Sequence, residues 1–350
     1  MSVNLTRFVN INVKRVSERT LSSTRDTVAL FTSETGSIAN IYSSYDEVIA
    51  SMSNATKTCS YAKQYFDNGG TKLKIVTDEL SIMTIDNLDD NIICIAKVDG
   101  LSDTDIEDIC SAYTESAAGI KRKLFFTNII ADSFDSIVTK ANVAYKKGAA
   151  GIEMTMMAYL SQINADEEGS ARDYCFTIET VNATDIYDDD TVVGKCMAAN
   201  VNVDTTLSGE TRNIGGNLST GIDLVNEYMI IILQQMVTDA VTSVLCDKVK
   251  GASGCAAVYA AVVSELNRFV KNGSIAAGNW ISEDWIATYN EEKYTVISAN
   301  ERLSTGYKVV VVPFSSQTAT DAKQHLATPI YVALTNAYGI RKVTIAGEVA

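Results

Sequence analysis

The chain has 350 residues, 46% apolar and 21% charged, the composition of an ordinary globular protein with room for two domains and a sizeable core. Its 29 Lys and Arg against 43 Asp and Glu leave a formal charge of −14, which repels phosphate backbones and argues against nucleic acid as a partner. The longest dense apolar run, 228–233, is cut by Gln234 and Gln235, so no membrane span is expected either.

The first residues alternate: Val9, Ile11 and Val13 against Asn10, Asn12 and Lys14, the pattern of a strand. Arg7 and Lys14 interrupt any apolar signal core, and the expectation is folding in the cytoplasm. Cysteines 59, 94, 110, 175, 196, 246 and 255 are odd in number and form no C-x-x-C pair. They read as reduced, mostly buried thiols, and with a single histidine in the chain no zinc site is expected.

A strand is predicted over 27–32, helices over 42–52 and 58–66, and a helix stop at Asn68-Gly69-Gly70. Strands over 72–77, 91–98, 123–129 and 151–156 then alternate with helices over 104–117 and 133–146. Strand and helix taking turns is the mark of an α/β layer with mainly parallel strands. After an irregular 159–176 and an acidic loop at 185–190, the stretch 201–217 is rich in Asn, Thr and Gly. A long helix over 221–250 follows, with Thr220 and Asp223 at capping-box spacing and Val225, Met229, Ile232, Met236, Ala240 and Val244 along one face. A second helix, 255–271, puts Val258, Val262, Leu266 and Phe269 on one side and stops at Asn272-Gly273. These two helices should pack on a sheet built from 293–299, 307–313, 330–334 and a terminal strand in which Val343 and Ile345 alternate with Lys342 and Thr344.

Motifs for chemistry fail one by one. Gly216 and Gly221 have Walker spacing, but Ile222 and Asp223 stand where Lys and Ser or Thr would meet phosphate and magnesium. His325 has no serine or cysteine nucleophile near it in sequence. Asp188, Asp189 and Asp190 lack the alternating donors and closing glutamate of a calcium loop, and read as a solvated acidic loop. No catalytic, cofactor-binding or metal-binding residue is nominated. A strand at a free terminus, however, leaves a row of unpaired N–H and C=O groups and needs a sheet to join, in its own subunit or in a neighbour.

The ordered set of segments resembles the small tail-sheath proteins of contractile bacteriophages and phage-tail-like bacteriocins. It runs from LTRFVNINVKR through VALFTSE, YSSYDEVIASM and YAKQYFDNGGTKLKIV to VNVDTTLSGETRNIGGNLSTGIDL and SQTATDAKQHLATPIYVALTNAYGIRKVTIAGEV. No single motif is diagnostic, and the stretch 80–151 resembles the family least. The resemblance implies a non-enzymatic structural subunit, without cofactor, in the tail of a virion or bacteriocin particle. Its partners would be itself in hexameric rings stacked helically, an inner tail tube protein, and baseplate and tail terminator proteins.

It also implies two packed α/β (α+β) domains with extended terminal strand arms: a linking arm 1–27, an inserted outer domain 28–195, a C-terminal core domain 196–335 and a linking strand 336–350. Val9, Ile11 and Val13 would be the apolar sides of one exchanged strand, and Val343, Ile345 and Val349 those of the other. Asp321, Lys323 and His325 would lie on a tube-facing helix, with an ordinary surface helix as the competing reading. The alternatives from other classes are an α/β enzyme with an acidic metal-dependent site, and another virion component such as a baseplate protein.

Overall fold

A computed structural model describes residues 2–5, 9–12, 26–34, 41–89, 91–113, 122–131, 134, 137–246, 251–323 and 327–337. The chain opens with two short strands, β1 (Ser2–Leu5) and β2 (Val9–Asn12), paired antiparallel with Val3 opposite Ile11 and Leu5 opposite Val9. Next come β3 (Thr27–Phe31), β4 (Ile41–Tyr42), α1 (Tyr45–Met52), α2 (Thr56–Asp67) and β5 (Lys72–Val76). The layer continues through α3 (Ile82–Asp86), β6 (Cys94–Lys97), a π-helical turn at Asp105–Cys110, β7 (Leu124–Ile129), β8 (Val143–Lys147) and α4 (Met154–Ser161). It closes with α5 (Asp190–Ala198), β9 (Val201–Leu207) and β10 (Glu210–Ile214).

Eight of these strands make one sheet in the order β10-β9-β8-β7-β6-β3-β5-β4. The pairs from β9 to β5 are parallel, and only the two edge pairs are antiparallel. The parallel strands are apolar on both faces because both are covered. Leu30, Ile75, Ala96, Phe126 and Ala144 point to one core with α1, α2 and α4. Phe31, Ile95, Phe125, Val143 and Val203 point to the other, with α3, the π-helical turn and α5. Chain direction sets this split, since successive side chains of a strand face opposite ways.

Three sequence expectations change here. The helix expected over 133–146 is not the structure of its end, where Val143–Lys147 is β8, and residues 137–140 are irregular. Lys146, the last residue of that expected helix, and its neighbour Lys147 are both buried, and Lys147 donates to the carbonyls of Ile130 and Ala131. The strand expected over 151–156 is the start of α4, whose residues are buried nearly all round, so a continuous apolar run carried no period to tell helix from strand. Third, α5 and the β9–β10 hairpin follow the acidic loop, where the sequence showed only a stretch rich in Asn, Thr and Gly. The hydrogen-bonded sheet therefore runs past Lys195 as far as Ile214.

Two long helices follow, α6 (Leu224–Cys246) and α7 (Gly251–Lys271). The cap of α6 is Asp223, whose carboxylate accepts from the Asn226 N–H at 2.9 Å, one turn later than the expected Thr220. Then come β11 (Gly278–Asn279), β12 (Trp285–Tyr289), β13 (Glu292–Ile297), β14 (Arg302–Leu303), β15 (Tyr307–Val311), α8 (Ala319–Lys323) and β16 (Ile330–Leu334).

Candidate assembly surface

The C-terminal layers are built around α6, which is apolar on most sides. Leu224, Tyr228, Ile231, Ile232 and Met236 belong to the same buried cluster as the α1–α2–α4 side of the large sheet. A helix that is hydrophobic nearly all round is a buried one. Glu227, almost buried, is held to Arg122 at 2.6 Å, which ties α6 to the entry of β7. Burial raises the Glu227 carboxyl, and the Arg122 charge works against that rise. Next to α6, α7 turns its Val258, Val262, Leu266 and Phe269 face inward and ends at Gly273, whose φ of +91° is the left-handed stop the sequence indicated.

On these two helices lies the antiparallel pair β15–β16, with Val309 opposite Val332. Its faces divide the work. Tyr307, Val309, Ile330, Val332 and Leu334 pack on the α6–α7 side. Val310, Tyr331 and Ala333 face a small core shared with the β12–β13 hairpin, where Ala287, Val296 and Ile297 are buried. The sheet expected from 293–299, 307–313 and 330–334 is thus split into two stacked ladders. The Trp285 and Tyr331 rings meet edge-on at 6.1 Å between them.

Among the described residues neither β15 nor β16 pairs with a third strand. The direction of their unused groups follows from the ladder. Val312 N–H bonds the Pro329 carbonyl at 3.0 Å and Thr335 N–H bonds the Gly306 carbonyl at 2.8 Å. Antiparallel pairs alternate, so Lys308–Ala333 and Val310–Tyr331 exchange the internal bonds, one residue pair in two. The N–H and C=O groups of Ile330, Val332 and Leu334 therefore point out from one edge, and those of Tyr307, Val309 and Val311 from the other. Apart from the Tyr307 carbonyl, which accepts from the Thr305 hydroxyl at 2.9 Å, both edges are open to an added strand among the described residues.

The chain leaves this layer beside Ser274 and Ala276. Ala276 N–H bonds the Thr335 carbonyl at 3.2 Å and Ala337 N–H bonds the Ser274 carbonyl at 2.9 Å. An open groove of about 540 Å³ between 276–282 and 334–337 borders this exit. Val343, Ile345 and Val349 lie outside the described residues, as do Val13 and His325. Val9 and Ile11 lie in β2, which runs beside α6. Of the residues read as tube-facing, Lys323 is exposed on α8, whereas Asp321 is half-buried and takes the Tyr289 hydroxyl at 2.6 Å. That bond, with others from Thr318, holds the Asp321 carboxyl below its usual range. Burial and the same carboxylate push Tyr289 up to about 12.

Groups that resemble enzyme chemistry are elsewhere. Lys146 contacts Glu179, Asp204, Thr155 and Tyr174, but the lysine and aspartate side chains are 0% exposed and the glutamate 2%, so no substrate reaches them. The acidic loop is spent on structure: Asp188 accepts from Thr206 N–H at 2.8 Å, and Asp189 caps α5 through the Thr191 N–H at 2.7 Å. Those hydrogen bonds lower both carboxyls. No cluster of metal-ligating side chains occurs among the described residues. The glycine pair of Walker spacing sits in a turn locked by buried Asn202, whose carboxamide oxygen accepts from Asn217 N–H at 3.1 Å and whose amide donates to the Tyr145 carbonyl at 2.9 Å. That asparagine carried no periodic signal in sequence.

Comparison with known proteins places these layers. Residues 225–349 match the family model described as E217 tail sheath protein gp31-like, C-terminal domain. The match covers α6, α7 and all the strands after them. Over the whole fold, the chain is similar to a subunit of the contracted helical sheath of the anti-feeding prophage, with a TM-score of 0.68 at 13% identity, over 96% of this chain and 98% of that one. A chain of the six-fold symmetrised baseplate of the same prophage gives 0.66 at 11%, over 99% of each. The contracted PVC sheath complex of an extracellular contractile injection system gives 0.66 at 11%, over 99% of this chain and 98% of that one. No curated protein sequence matches the chain. The whole-chain fold is that of these sheath and baseplate chains, and residues 225–349 match a tail sheath C-terminal domain.

Proposed function

We propose that the protein is the repeating subunit of a contractile sheath, polymerising helically around an inner tube in the tail of a phage or phage-tail-like particle, without catalytic activity. The observation that carries this reading is the β15–β16 ladder, a two-stranded sheet with both edges unpaired among the described residues, inside the module matched to tail sheath proteins.

Main-chain pairing supplies strength without a special side-chain sequence. A contact of this kind, not closing on itself, propagates into a helix of subunits. We assign the terminal segments as the added strands, with Val9, Ile11 and Val13 on one and Val343, Ile345 and Val349 on the other. The stretch around α8, with Asp321, Lys323 and His325, is the proposed tube contact. Asp321, tied to Tyr289, then orients the helix against the β12–β13 hairpin, and Lys323 is the group free to meet the tube. Rings of six, and baseplate and terminator proteins at the two ends, complete the reading, which the similarity to sheath and baseplate chains supports.

The test is removal of residues 340–350. The truncated subunit is expected to stay folded by circular dichroism and to form no tubes by negative-stain microscopy. Tubes like those of the intact chain would refute strand exchange through this terminus.

A further inference from the structure

Two buried carboxyl groups share one ammonium in the large sheet. Lys146 rises from β8 and Asp204 from β9 on the same side, facing Thr155 of α4, with Tyr174 and Glu179 closing over them from the segment that crosses the β10 edge. Glu153, the residue before α4, and Tyr61 of α2 lie just beyond. The charged side chains that act most on Asp204 are Glu179 and Lys146.

A lysine has three N–H donors. Here Thr155 Oγ1 takes one at 2.7 Å, Tyr174 takes one at 3.0 Å, and Glu179 takes the third. The Tyr174 hydroxyl is spent as well, because it donates to Glu179. Asp204 Oδ2 stands 3.1 Å from Lys146 Nζ, yet neither of its oxygens accepts a hydrogen bond among the described residues. Its cross-strand neighbour Asn213 is equally buried and its amide is equally unpaired. An ionised Asp204 would be a second negative charge, out of water, facing a Lys146 ammonium at 3.1 Å whose three N–H donors already serve Thr155, Tyr174 and Glu179, which is costly enough that such a group neutralises instead.

We propose that Asp204 keeps its proton in the folded protein at neutral pH, so that Lys146, Glu179 and Asp204 form a proton-dependent clasp fastening the β9–β10 edge of the sheet to α4. Burial first, and then the Glu179 charge, raise the Asp204 carboxyl, in agreement with the donor count.

The sign follows from linkage. In the unfolded chain an aspartate loses its proton near pH ~3.9, so above that the unfolded state binds fewer protons than the folded one. Stability due to Asp204 is therefore full below pH ~4 and falls as pH rises toward its folded titration. Each pH unit in that window multiplies the unfolding constant by up to about ten.

The test uses the full chain carrying Glu153→Gln, because burial pushes Glu153 up to about 8 and gives a pH response of its own. Urea unfolding is compared at pH 5 and pH 8 with and without Asp204→Asn, which matches the neutral acid in shape. The expected result is an unfolding constant that rises at least about tenfold more between the two pH values in the parent than in the Asp204→Asn chain. Equal pH dependence overturns the proposal. A second measurement needs no change at Asp204: the infrared spectrum of folded E153Q at pH 7 should contain a protonated-carboxyl stretch that disappears on alkaline titration together with amide protection in β10. Absence of that band overturns the proposal too.

Discussion

The unpaired edges of β15 and β16 make a substitution that separates folding from assembly. Val332 pairs with Val309 at a position where the internal ladder makes no bond, so its N–H points out of the sheet. Val332→Pro removes that outward donor and leaves the β15–β16 bonds in place, the situation in which proline is tolerated on an edge strand. A strand added along Ile330, Val332 and Leu334 forms up to roughly six main-chain hydrogen bonds, worth about 1 kcal/mol net each. Proline deletes one of them and leaves the incoming carbonyl buried and unpaired, a further loss of about 1–3 kcal/mol. The sum, about 2–4 kcal/mol, raises the critical concentration for polymerisation about 30-fold to 700-fold.

Loss of the valine side chain is a separate effect, since Val332 lines a small apolar cleft of about 50 Å³ with Leu233, Val237 and Leu266. Val332→Ala, which keeps the N–H, measures it: about 1 kcal/mol of stability and little change in assembly. Pelleting and negative-stain microscopy over a concentration series give the critical concentration, and thermal melting of the dispersed subunit reports the fold. Val309→Pro asks the same of the β15 edge, and a response to only one proline identifies the edge that receives the strand. Folded Val332→Pro and Val309→Pro subunits that both polymerise at the parent concentration would refute the reasoning.

Two further outcomes test the body of the subunit. Gly215 has φ +126°, and a Cβ there would stand 2.7 Å from the Asn202 carboxamide oxygen that holds the following turn, so Gly215→Ala should lower stability by roughly 2–3 kcal/mol; an unchanged denaturation midpoint would contradict it. Glu34 caps α2 from the end of β3, accepting from Thr58 N–H and Thr58 hydroxyl, each at 2.7 Å, while Ala55 at the helix start supplies no side-chain cap. Burial acts to raise its carboxyl but is outweighed by these hydrogen bonds, so the group lies below its usual range. Its contribution is present above pH ~4.3 and lost as pH falls through the lowered folded value. Glu34→Gln should cost up to about 1 kcal/mol at pH 7 and nothing near pH 2, read from urea midpoints at both.

Legibility in the sequence followed the physics of each element. Strands β3, β5, β6 and β7 and helices α2, α6 and α7 announced themselves because a run length, a period and a glycine stop agreed, as at Gly69 and Gly273 with φ of +83° and +91°. The stretch 133–156 misled because the strand–helix alternation was carried through it and an apolar run stood for a strand, whereas tertiary contacts decide both. Lys146 and Lys147 find buried partners, and the methionines of α4 are covered on every side. The hairpin β9–β10 was hidden by its polar inward side, where Asn202, Asp204 and Asn213 are 0% exposed. Buried polar residues are read as loop when their partners lie far away in sequence. The proposed assembly role starts from a terminal strand seeking a sheet, which the sequence pattern suggests, but the open edges of β15 and β16 have no such pattern, since they depend on which neighbours these strands lack among the described residues.

The position of α6 constrains how such a subunit changes shape. One buried cluster runs from the inner side of the large sheet, through α6, to Val309 and Val332 of the C-terminal ladder. Sliding those layers apart by enough to expose ~400 Å² of apolar surface would cost about 10 kcal/mol at 25 cal/mol per Å², comparable with the whole stability of a domain. Added strands, by contrast, keep their hydrogen bonds while the bodies they join rotate about them. A sheath passing between extended and contracted forms is therefore expected to keep the described body of its subunit and to take up the change at the contacts between subunits. Hydrogen exchange of the assembled particle before and after contraction reads this directly: α6, β7 and β16 should be equally protected in both forms, and new exchange in α6 would place the movement inside the subunit instead.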